Sequence, residues 1–308
     1  MADIPQYQDV WVKGQRVSPG GRECANRYEI VRSFCSQYQR PFTVLDVGAA
    51  DGYFSVRLAE DFPDCTVVAV EPRPRIGDVP KLNDAVRVLW LRKKLSLADI
   101  HTLADVEHFD VTLALSMIHW MKEPPDRSIK ALRRLGDHLI LELPVEAEAT
   151  GQEVVQAITI PEDAVLLGYG ESHLGGQGRP FYLLSQKKTS LRSGYWDSPR
   201  DSIARIASTF ESKTFKKGKK VSYPWMRGIN LQTFLMLNGA YPSREYIAQC
   251  VRESYARLGG PHGDLEPWNV ILQGDRADLI DPKPGNERAG TDAVFLEQLI
   301  TTILAGAA

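Results

Sequence analysis

The stretch that decides the fold is FTVLDVGAADGYFSVRLAE, residues 42–60. An apolar run rich in strand formers ends at Val47, small residues interrupt it, and apolar residues at helical spacing resume at Tyr53. This order predicts a buried strand, a tight turn and a helix. Small residues in the turn let a ligand approach the backbone, because a larger side chain would fill the space. The stretch therefore predicts a ligand-binding βα unit.

A second apolar run, Thr66 to Val70, ends in Glu71 and Pro72. A carboxylate at the carboxyl end of the neighbouring strand is placed to accept both hydroxyls of a ribose. The turn after the first strand lacks the Gly-x-Gly-x-x-Gly pattern that cradles a pyrophosphate. The two stretches together indicate a nucleoside cofactor without phosphates.

These stretches resemble the S-adenosylmethionine-dependent methyltransferases with a Rossmann-like sheet. LDVGAADGYFS is similar to their first motif, VVAVEP to the second, and FDVTLALSMIHW, residues 109–120, to the fourth strand with its active-site end. The resemblance covers roughly residues 1–145 and implies an α/β fold with helices on both faces of the sheet. It also implies S-adenosylmethionine as cofactor, lined by Asp46, Gly48, Ala49, Ala50, Gly52, Tyr53, Glu71, Pro72, Leu95, Ser96, Leu115 and Ser116.

Three of the polar and aromatic positions in these motifs, Asp51, His119 and Trp120, also have simpler structural interpretations. Asp51 is expected to cap the following helix. Asp46 is harder to explain in this way, since an ionised carboxylate at the end of a buried strand needs a partner. His119 and Trp120 follow an apolar strand. They are either core residues or, respectively, a catalytic group and a contact for the methyl acceptor.

The segment before the first strand is rich in cations that suit an anionic acceptor. Methyl transfer from a sulfonium is a direct displacement, so the protein mainly holds the acceptor in line with the methyl carbon. The stretch SMIHW, residues 116–120, replaces the polar Asn/Asp-Pro-Pro-aromatic clamp of amine methyltransferases. A phosphate acceptor needs no strong base, but it needs cations. The candidates for binding the acceptor or the cofactor carboxylate are Arg16, Arg22 and Arg27, with Lys13 nearby, and surface charge is the alternative.

The second half carries a different pattern, PHGDLEPWNVIL, residues 261–272. Four residues separate Asp264 from Asn269. In phosphotransferases this arrangement lets the aspartate orient a hydroxyl while the asparagine holds a metal ion. Asp281, in ADLIDPKPG, follows an apolar strand and is expected to bind the magnesium that bridges nucleotide phosphates.

This pattern resembles the aminoglycoside phosphotransferase branch of the kinase-like fold, over roughly residues 221–305. We therefore predict two domains, 1–190 for the methyltransferase part and 191–308 for a compact α+β part like the lower lobe of a kinase. No glycine-rich phosphate loop is recognisable, and Lys213, Lys216 and Lys217 are open alternatives for a phosphate lysine. An active compact kinase that uses ATP and Mg²⁺, a structural remnant and a piece of a larger lobe all remain open.

The order of the two parts resembles the bifunctional enzymes that finish bacterial O-antigen polysaccharides by phosphorylating the terminal sugar and then methylating that phosphate. HLILELPVE, residues 138–146, and GRPFYLLS, residues 178–185, support this resemblance. It implies a methyl acceptor that is a phosphorylated glycan end. One alternative is a small-molecule O-methyltransferase with a degenerate kinase-like part, and another is a non-catalytic recognition module.

Composition narrows the classes of protein to which this chain could belong. The chain has 308 residues with 43% hydrophobic side chains, and a formal charge of -2 gives no reason to expect a nucleic-acid partner. Its four cysteines form no Cys-x-x-Cys pair and are expected to be reduced thiols. No apolar stretch is long enough to predict a transmembrane segment. A cytoplasmic enzyme is expected, and the oligomeric state stays open.

Overall fold

The computed structural model describes residues 7–22, 24–39, 41–73, 78–145, 157–171, 178–186, 192–193, 203–206, 211–216, 219–224, 227–280, 282 and 291–305. The first elements are an antiparallel hairpin, β1 (Val10–Val12) and β2 (Gln15–Ser18), and helix α1 (Ala25–Cys35). They precede the predicted βα unit and, as shown below, lie over it.

An eight-stranded sheet follows, seven of whose strands come from the first part of the chain. In chain order the elements are β3 (Phe42–Val47), α2 (Tyr53–Asp61), β4 (Cys65–Val70), α3 (Asp78–Asn83), β5 (Val88–Leu91), α4 (Leu97–Val106), β6 (Phe109–Leu115), α5 (Pro125–Arg133), β7 (Gly136–Glu142), β8 (Val165–Gly170) and β9 (Arg179–Ser185). These strands lie in the order β5-β4-β3-β6-β7-β9-β8. β9 is antiparallel to both of its neighbours, and the strands from β5 to β7 are parallel. The predicted α/β fold with a Rossmann-like sheet is confirmed.

The central strands are mostly apolar because both faces of the sheet are covered. Along β3, Leu45 joins one hydrophobic cluster while Val44 joins the other. Tyr28 of α1 and Phe54 of α2 belong to the cluster of Val44, whereas Ile100 of α4 belongs to that of Leu45. Parallel strands buried on both faces form near-continuous hydrophobic runs, which explains why FTVLDV has no polar side of its own.

The second part is smaller and mixes strands with helices. Its elements are β10 (Arg192–Ser193), β11 (Ile203–Ile206), β12 (Glu211–Lys216), β13 (Lys219–Pro224), β14 (Ile229–Asn230), α6 (Leu231–Met236), β15 (Gly239–Tyr241), α7 (Arg244–Arg257), β16 (Val270–Leu272), β17 (Ala277–Leu279) and α8 (Thr291–Ala305). β10 to β13 form an antiparallel sheet, and β14, β16 and β17 form another. The second part is therefore α+β, as predicted.

The two parts share one sheet and one hydrophobic cluster. β15 pairs antiparallel with the edge strand β5, with Gly239 opposite Leu91, and so adds the eighth strand. A side chain at Gly239 would meet the Phe234 ring at 2.1 Å, so only glycine fits this position. The Glu107 carboxylate accepts hydrogen bonds from the Asn230 amide (3.0 Å) and the Thr233 hydroxyl (2.6 Å) at the start of α6. The boundary near residue 190 stays a prediction, but the second part is built onto the first.

Candidate functional site

The turn after β3 holds three residues in the left-handed region, Gly48, Ala50 and Gly52, with φ of 79°, 55° and 88°. A side chain at Gly52 would come within 2.7 Å of the Trp90 ring. Gly52 is therefore required by its backbone angle and by Trp90, in addition to the predicted approach of a ligand. The amides of Gly48 and Ala49 donate to the Val70 carbonyl at 2.9 and 3.1 Å, which fixes the turn against the end of β4.

Asp46 lies at the end of β3 and is buried. Its carboxylate accepts a hydrogen bond from the Ser55 hydroxyl at 2.6 Å. Burial raises the pKa of Asp46 to about 6; the Ser55 hydrogen bond lowers it, and the charge of Glu71 adds to the increase. The partner that a buried carboxylate needs is thus a hydroxyl, and a cationic ligand group would favour the ionised form further.

Glu71, the predicted ribose ligand, ties the ends of two strands together. One carboxylate oxygen accepts from the Ala50 amide at 3.0 Å, and the other accepts from Arg73 Nε at 2.8 Å. Glu71 is buried, whereas Pro72 beside it is exposed and the Arg73 side chain is half exposed. A ribose hydroxyl would therefore compete with Arg73 for an oxygen of Glu71, while the Ala50 hydrogen bond holds the carboxylate in place.

The segment before α1 lies over this turn. Both the Tyr7 and the Gln8 amides donate to the Asp51 carboxylate, at 2.9 and 3.0 Å. The Gln8 side-chain oxygen accepts from the Tyr53 amide at 3.1 Å. The expectation that Asp51 caps α2 is wrong: the N-cap is Gly52, without a side-chain hydrogen bond. The Asp51 carboxylate holds the N-terminal segment instead, because it accepts hydrogen bonds from two backbone amides of that segment.

Leu95 and Ser96, which are predicted to line the cofactor, follow the end of β5. Ser96 is the N-cap of α4, where its hydroxyl accepts from the Asp99 amide at 3.1 Å and donates to the Asp99 carboxylate at 2.6 Å. Leu95 is partly buried against the larger hydrophobic cluster. A cofactor contact by Leu95 or Ser96 stays a prediction, and the Ser96 hydroxyl already serves a capping box.

On the other side of β3, the end of β6 approaches the turn. Leu115 and Ser116 are buried, and Ser116 has a φ of 54°. The next residue, Met117, lies 3.3 Å from the position of a side-chain carbon at Gly48. A residue other than glycine with this backbone conformation is uncommon and occurs most often at functional sites.

Ser116 belongs to a buried group that we call the arginine cluster: Arg22, Arg27, Ser116, Glu142 and Arg179. Glu142, at the end of β7, accepts from Arg22 Nη2 at 2.8 Å, from Arg27 Nε at 3.0 Å and from the Ser116 hydroxyl at 2.7 Å. Arg27 Nη2 makes a second bond to Glu142, and Arg179 donates to Ser116. Burial would raise the pKa of Glu142, but Arg27 and Arg22 outweigh it and hold that pKa below its usual value.

Not every predicted cation joins this cluster. Arg22 and Arg27 do, but Arg16 donates to Asp9 at 2.9 Å and its side chain is half exposed. Lys13 lies at the surface, 3.5 Å from Asp84. A role for Arg16 in acceptor binding stays a prediction, whereas the surface-charge alternative is wrong for Arg22 and Arg27, since both are buried.

His119 and Trp120 form a short 3₁₀ turn after β6 together with Ile118. Ile118 is the core residue of the three, and Trp120 is 73% exposed. The core alternative is therefore wrong for Trp120. The His119 and Trp120 ring centroids lie 5.2 Å apart, which places an imidazole beside an exposed aromatic surface at the end of the strand.

The loop of the second part, which we call the HGD loop (261–269), is fixed by hydrogen bonds to Asp292 and to Ile280. Asp292, at the start of α8, accepts from the amides of His262 (2.5 Å) and Gly263 (2.9 Å). His262 Nε2 lies 3.0 Å from the Ile280 carbonyl oxygen, to which it donates. These bonds hold the backbone that precedes Asp264 and connect the loop to Ile280, which follows β17.

Asn269 is 1% exposed, and its amide nitrogen donates to the Asp264 carbonyl at 2.8 Å. Its side-chain oxygen has no hydrogen-bond partner within the described ranges. A buried amide oxygen of this kind fits a Mg²⁺ ligand. Asp281, the second predicted ligand, lies outside the described residues. The described residues contain no cluster of three His, Cys, Asp or Glu side chains placed to bind a metal.

Three important residues were absent from the sequence-based set: Glu142, Arg179 and Asp292. Glu142 stands alone in the apolar run LILELP, and a lone carboxylate in a buried strand signals a charged partner. Arg179, at the start of β9, and Asp292, in the first turn of a helix, carry no comparable signal.

Comparisons with known proteins identify a domain in the first part of the chain. Residues 45–137 match the family model of a methyltransferase domain. The chain therefore contains a methyltransferase domain. Within the described ranges, none of its helices has the length and apolarity needed to cross a membrane.

Two curated Escherichia coli relatives, each an O-antigen chain terminator bifunctional methyltransferase/kinase WbdD, are 24% identical to this chain over 213 residues. The similarity covers 62% of this chain but spans only 29% of the relatives' length. Among solved structures, WbdD with the kinase inhibitor LY294002 has a TM-score of 0.49 and 17% identity, over 91% of this chain and 80% of that chain. The N-terminal domain of EvdMO1 in the presence of SAH and D-fucose has a TM-score of 0.42 and 14% identity, over 59% of this chain and 92% of that chain.

Proposed function

We propose that this protein transfers a methyl group from S-adenosylmethionine to an oxygen of a phosphorylated glycan end, and that its second part makes or recognises the phosphate. One observation carries most of this proposal: the buried arginine cluster lies at the strand ends beside the predicted cofactor turn, where an anionic acceptor would be held. The similarity to bifunctional methyltransferase/kinases that terminate O-antigen chains supports the same interpretation.

The residues around the turn fit the cofactor. Glu71 would accept the ribose hydroxyls, Asp46 would face the cationic amino-acid end, and Leu95 would lie against the adenine. Asp46 suits this role because burial raises its pKa to about 6, and a positive ligand group would favour its ionised form further. The cofactor supplies an electrophilic methyl group, and the protein's contribution is to hold the acceptor oxygen in line with it.

Trp120 and His119 fit the sugar that would carry the phosphate. The exposed Trp120 ring offers a flat apolar face to a ligand. Tryptophan is common at binding surfaces, because its ring is apolar while its N–H can bind water or a polar partner. His119 would hydrogen-bond to the sugar or, for a neutral hydroxyl acceptor, would act as general base. A phosphate acceptor does not need this base, because it is already ionised near neutral pH.

In the second part, Asp264 would orient a sugar hydroxyl towards ATP, and Asn269 and Asp281 would hold Mg²⁺. The buried, unpartnered oxygen of Asn269 supports a metal ligand at that position. The fixed backbone around His262 and Gly263 supports a loop of defined shape rather than a surface turn.

The test combines binding with turnover. S-adenosylhomocysteine binding is measured by calorimetry, and methyl transfer is measured on an oligosaccharide with and without a terminal phosphate. We expect micromolar binding, and methylation of the phosphorylated form alone. Glu71→Ala should weaken binding about 100-fold, while Glu29→Ala is the matched control, because Glu29 is exposed and pairs only with Arg32 among the contacts described for it.

Kinase activity is tested separately with ATP, Mg²⁺ and the unphosphorylated oligosaccharide. Phosphate transfer that is lost in Asp264→Ala and Asp281→Ala supports a catalytic second part. If the wild type transfers no phosphate but methylates only phosphorylated acceptors, the second part recognises the phosphate. Methylation of free hydroxyls without any response to phosphate or ATP would instead support the alternative, a small-molecule O-methyltransferase with a degenerate kinase-like part.

A further inference from the structure

A buried carboxylate of the first part is bonded to the second part. Glu107 lies between α4 and β6 and is 1% exposed. One of its oxygens, Oε1, accepts hydrogen bonds from both the Asn230 amide and the Thr233 hydroxyl. Burying a carboxylate costs free energy unless hydrogen bonds compensate for it, and an apolar side chain would need no such compensation. The carboxylate therefore contributes by fixing the two polar groups that it binds.

Asn230 continues this connection to the HGD loop. Its side-chain nitrogen donates to the Trp268 carbonyl at 2.6 Å, and its side-chain oxygen accepts from the Gln232 amide at 2.9 Å. Asn230 is buried and lies opposite Ile271 in the pairing of β14 with β16. Its backbone amide is thus held by Glu107, while its side chain joins the start of α6 to the loop.

The Trp268 carbonyl belongs to the peptide group that leads into Asn269. The carbonyl of residue 268 and the amide of residue 269 lie in one plane, because the peptide bond does not rotate freely. Asn230 holds the carbonyl side of this plane, and the Glu266 carbonyl holds the amide side at 2.8 Å. The Asn269 carbonyl in turn accepts from the Ile280 amide at 2.8 Å. The backbone of Asn269 is therefore fixed on both sides.

The direction of the Asn269 side-chain oxygen depends on this peptide plane. The side-chain nitrogen of Asn269 donates to the Asp264 carbonyl at 2.8 Å, and its oxygen has no hydrogen-bond partner among the described residues. Mg²⁺ requires nearly octahedral oxygen ligands at about 2.0–2.1 Å. A small rotation of the plane would therefore move the oxygen out of the range in which it can bind the metal.

We propose that Glu107 is a positioning residue for the metal site of the second part: it holds Asn230, and Asn230 holds the peptide group that orients the Asn269 oxygen. This inference rests on the proposed function, since it adds a residue to the same Mg²⁺ and ATP site. Glu107 acts through Asn230 and is not itself a ligand. Because Glu107 belongs to the methyltransferase domain, the second site depends on a side chain of the first part.

Glu107 lies at the opposite end of the sheet from the predicted cofactor turn. It precedes β6, whereas the turn after β3 and Ser116 after β6 lie at the carboxyl ends of the parallel strands. β6 has seven residues, which corresponds to about 20 Å at about 3.3 Å per residue. A change at Glu107 should therefore affect ATP binding and S-adenosylhomocysteine binding to different extents.

The test measures binding of ATP with Mg²⁺, and of S-adenosylhomocysteine, to the full chain by calorimetry. We expect Glu107→Ala to weaken Mg²⁺-dependent ATP binding at least tenfold while changing S-adenosylhomocysteine affinity less than twofold. Glu107→Gln keeps an oxygen that can accept both bonds but loses the charge, so it should lie between Glu107→Ala and the wild type. Thr66→Val is the matched control, since the Thr66 hydroxyl also joins the two parts by donating to the Gln273 carbonyl at 3.2 Å, outside the HGD loop; it should leave both affinities unchanged.

A second substitution tests whether Glu107 acts through Asn230. Asn230→Ser keeps the backbone amide and an oxygen that can cap α6, but it loses the nitrogen that donates to Trp268. It should weaken ATP binding as much as Glu107→Ala does. The double substitution should be no weaker than the weaker single one, because residues that act in series are not additive. Additive losses would contradict the proposed path.

Hydrogen exchange tests the positioning without ATP or metal. In both substituted chains the amides of Asn269 and Ile280 should exchange faster, because the peptide plane between residues 268 and 269 is no longer held. The amides of His262 and Gly263 should be unchanged, since Asp292 binds them independently. A purely structural role would raise exchange throughout the chain instead.

Two results would overturn the inference. The first is wild-type ATP affinity and wild-type exchange at Asn269 in Glu107→Ala. The second is loss of both ligands together with faster exchange throughout Glu107→Gln and Asn230→Ser, which assigns Glu107 to general stability. Failure of the wild type to bind ATP with Mg²⁺ would instead reject the proposed metal site, whereas faster exchange confined to Asn269 and Ile280 would still show that Glu107 positions the loop.

Discussion

The strand ends of the first part and the HGD loop of the second part differ in how their polar groups are satisfied. In the first, Asp46 is paired with Ser55, Glu71 with the Ala50 amide and Arg73, and Glu142 with arginines. In the second, the framework is paired through Asp292, but the oxygen of Asn269 is left without a partner in the described part of the chain. Ligands of the first site must replace internal partners, whereas a metal at the second would complete the coordination of an already fixed group.

The largest expected effect on the free energy of unfolding comes from breaking the ion pairs of Glu142 in the first site. Glu142→Gln would remove the carboxylate that pairs with the buried guanidinium groups of Arg22 and Arg27, and loss of one partner of a buried ion pair costs about 3–5 kcal/mol. Glu107→Gln is the matched control: Glu107 is also buried, but it accepts from a neutral amide and a hydroxyl, and its loss should cost about 1–3 kcal/mol. The free energy of unfolding in urea measures both. Equal costs would mean that the cluster is not an ionic network.

The next largest effect is on ligand affinity, because a ribose would replace Arg73 as a hydrogen-bond partner of Glu71. A ribose held by two hydrogen bonds to this carboxylate should lose about 100-fold in affinity in Glu71→Ala, since hydrogen bonds to charged groups contribute about 1.5–3 kcal/mol each. Arg73→Ala should instead leave S-adenosylhomocysteine binding unchanged or tighten it, because it removes the competitor for one oxygen. Calorimetry measures both variants. Weaker binding in Arg73→Ala would mean that Arg73 contacts the ligand.

The third effect is pH dependent. Asp46 has a pKa of about 6 in the folded chain, above the value of 3.8 for an ordinary aspartate. The folded state therefore binds the proton more tightly, and this contribution to stability is present below pH 4 and lost as the pH rises through about 6, by about 2–3 kcal/mol in total. Asp46→Asn should flatten this part of the stability profile.

The Ser55 hydrogen bond provides the control for Asp46. It stabilises the ionised carboxylate, so Ser55→Ala should move the loss of stability to higher pH, while affinity for S-adenosylhomocysteine falls. Urea unfolding between pH 4 and 8 measures the profile. A profile that is identical in the wild type and Asp46→Asn would show that another group titrates in this range.

The smallest expected effect on stability is in the second site. Asn269→Ala removes one hydrogen bond to the Asp264 carbonyl, at a cost of about 1 kcal/mol, but it should abolish Mg²⁺-dependent ATP binding. Asn269→Asp keeps an oxygen ligand and should retain the metal. Fluorescence titration with ATP and Mg²⁺ measures this, and S-adenosylhomocysteine binding should be the same in all three proteins. ATP binding that survives in Asn269→Ala would exclude the metal site.

The sequence was most informative where local pattern and fold agree. The run FTVLDV followed by small residues predicts a buried strand and a turn from local pattern alone, and the resemblance of three motifs predicts a Rossmann-like sheet. The positions of Glu71 and Asp46 at strand ends were predicted for the same reason. Partners contributed from distant segments were not predictable in this way: Tyr7 and Gln8 on Asp51 are 44 and 43 residues away from it. Arg179 reaches Ser116 across 63 residues, and no local pattern encodes that distance.

The pairing of β15 with β5 has a consequence for any attempt to study the first part by itself. If the chain were cut near residue 190, β5 would become an open edge with unpaired amides and carbonyls beside Trp90 and Leu91. Such an edge is a template for intermolecular strand addition, and the hydrophobic surface formerly covered by Phe234 would be exposed next to it. The isolated fragment would self-associate, and poor behaviour of that fragment would reveal a missing neighbour rather than a missing activity.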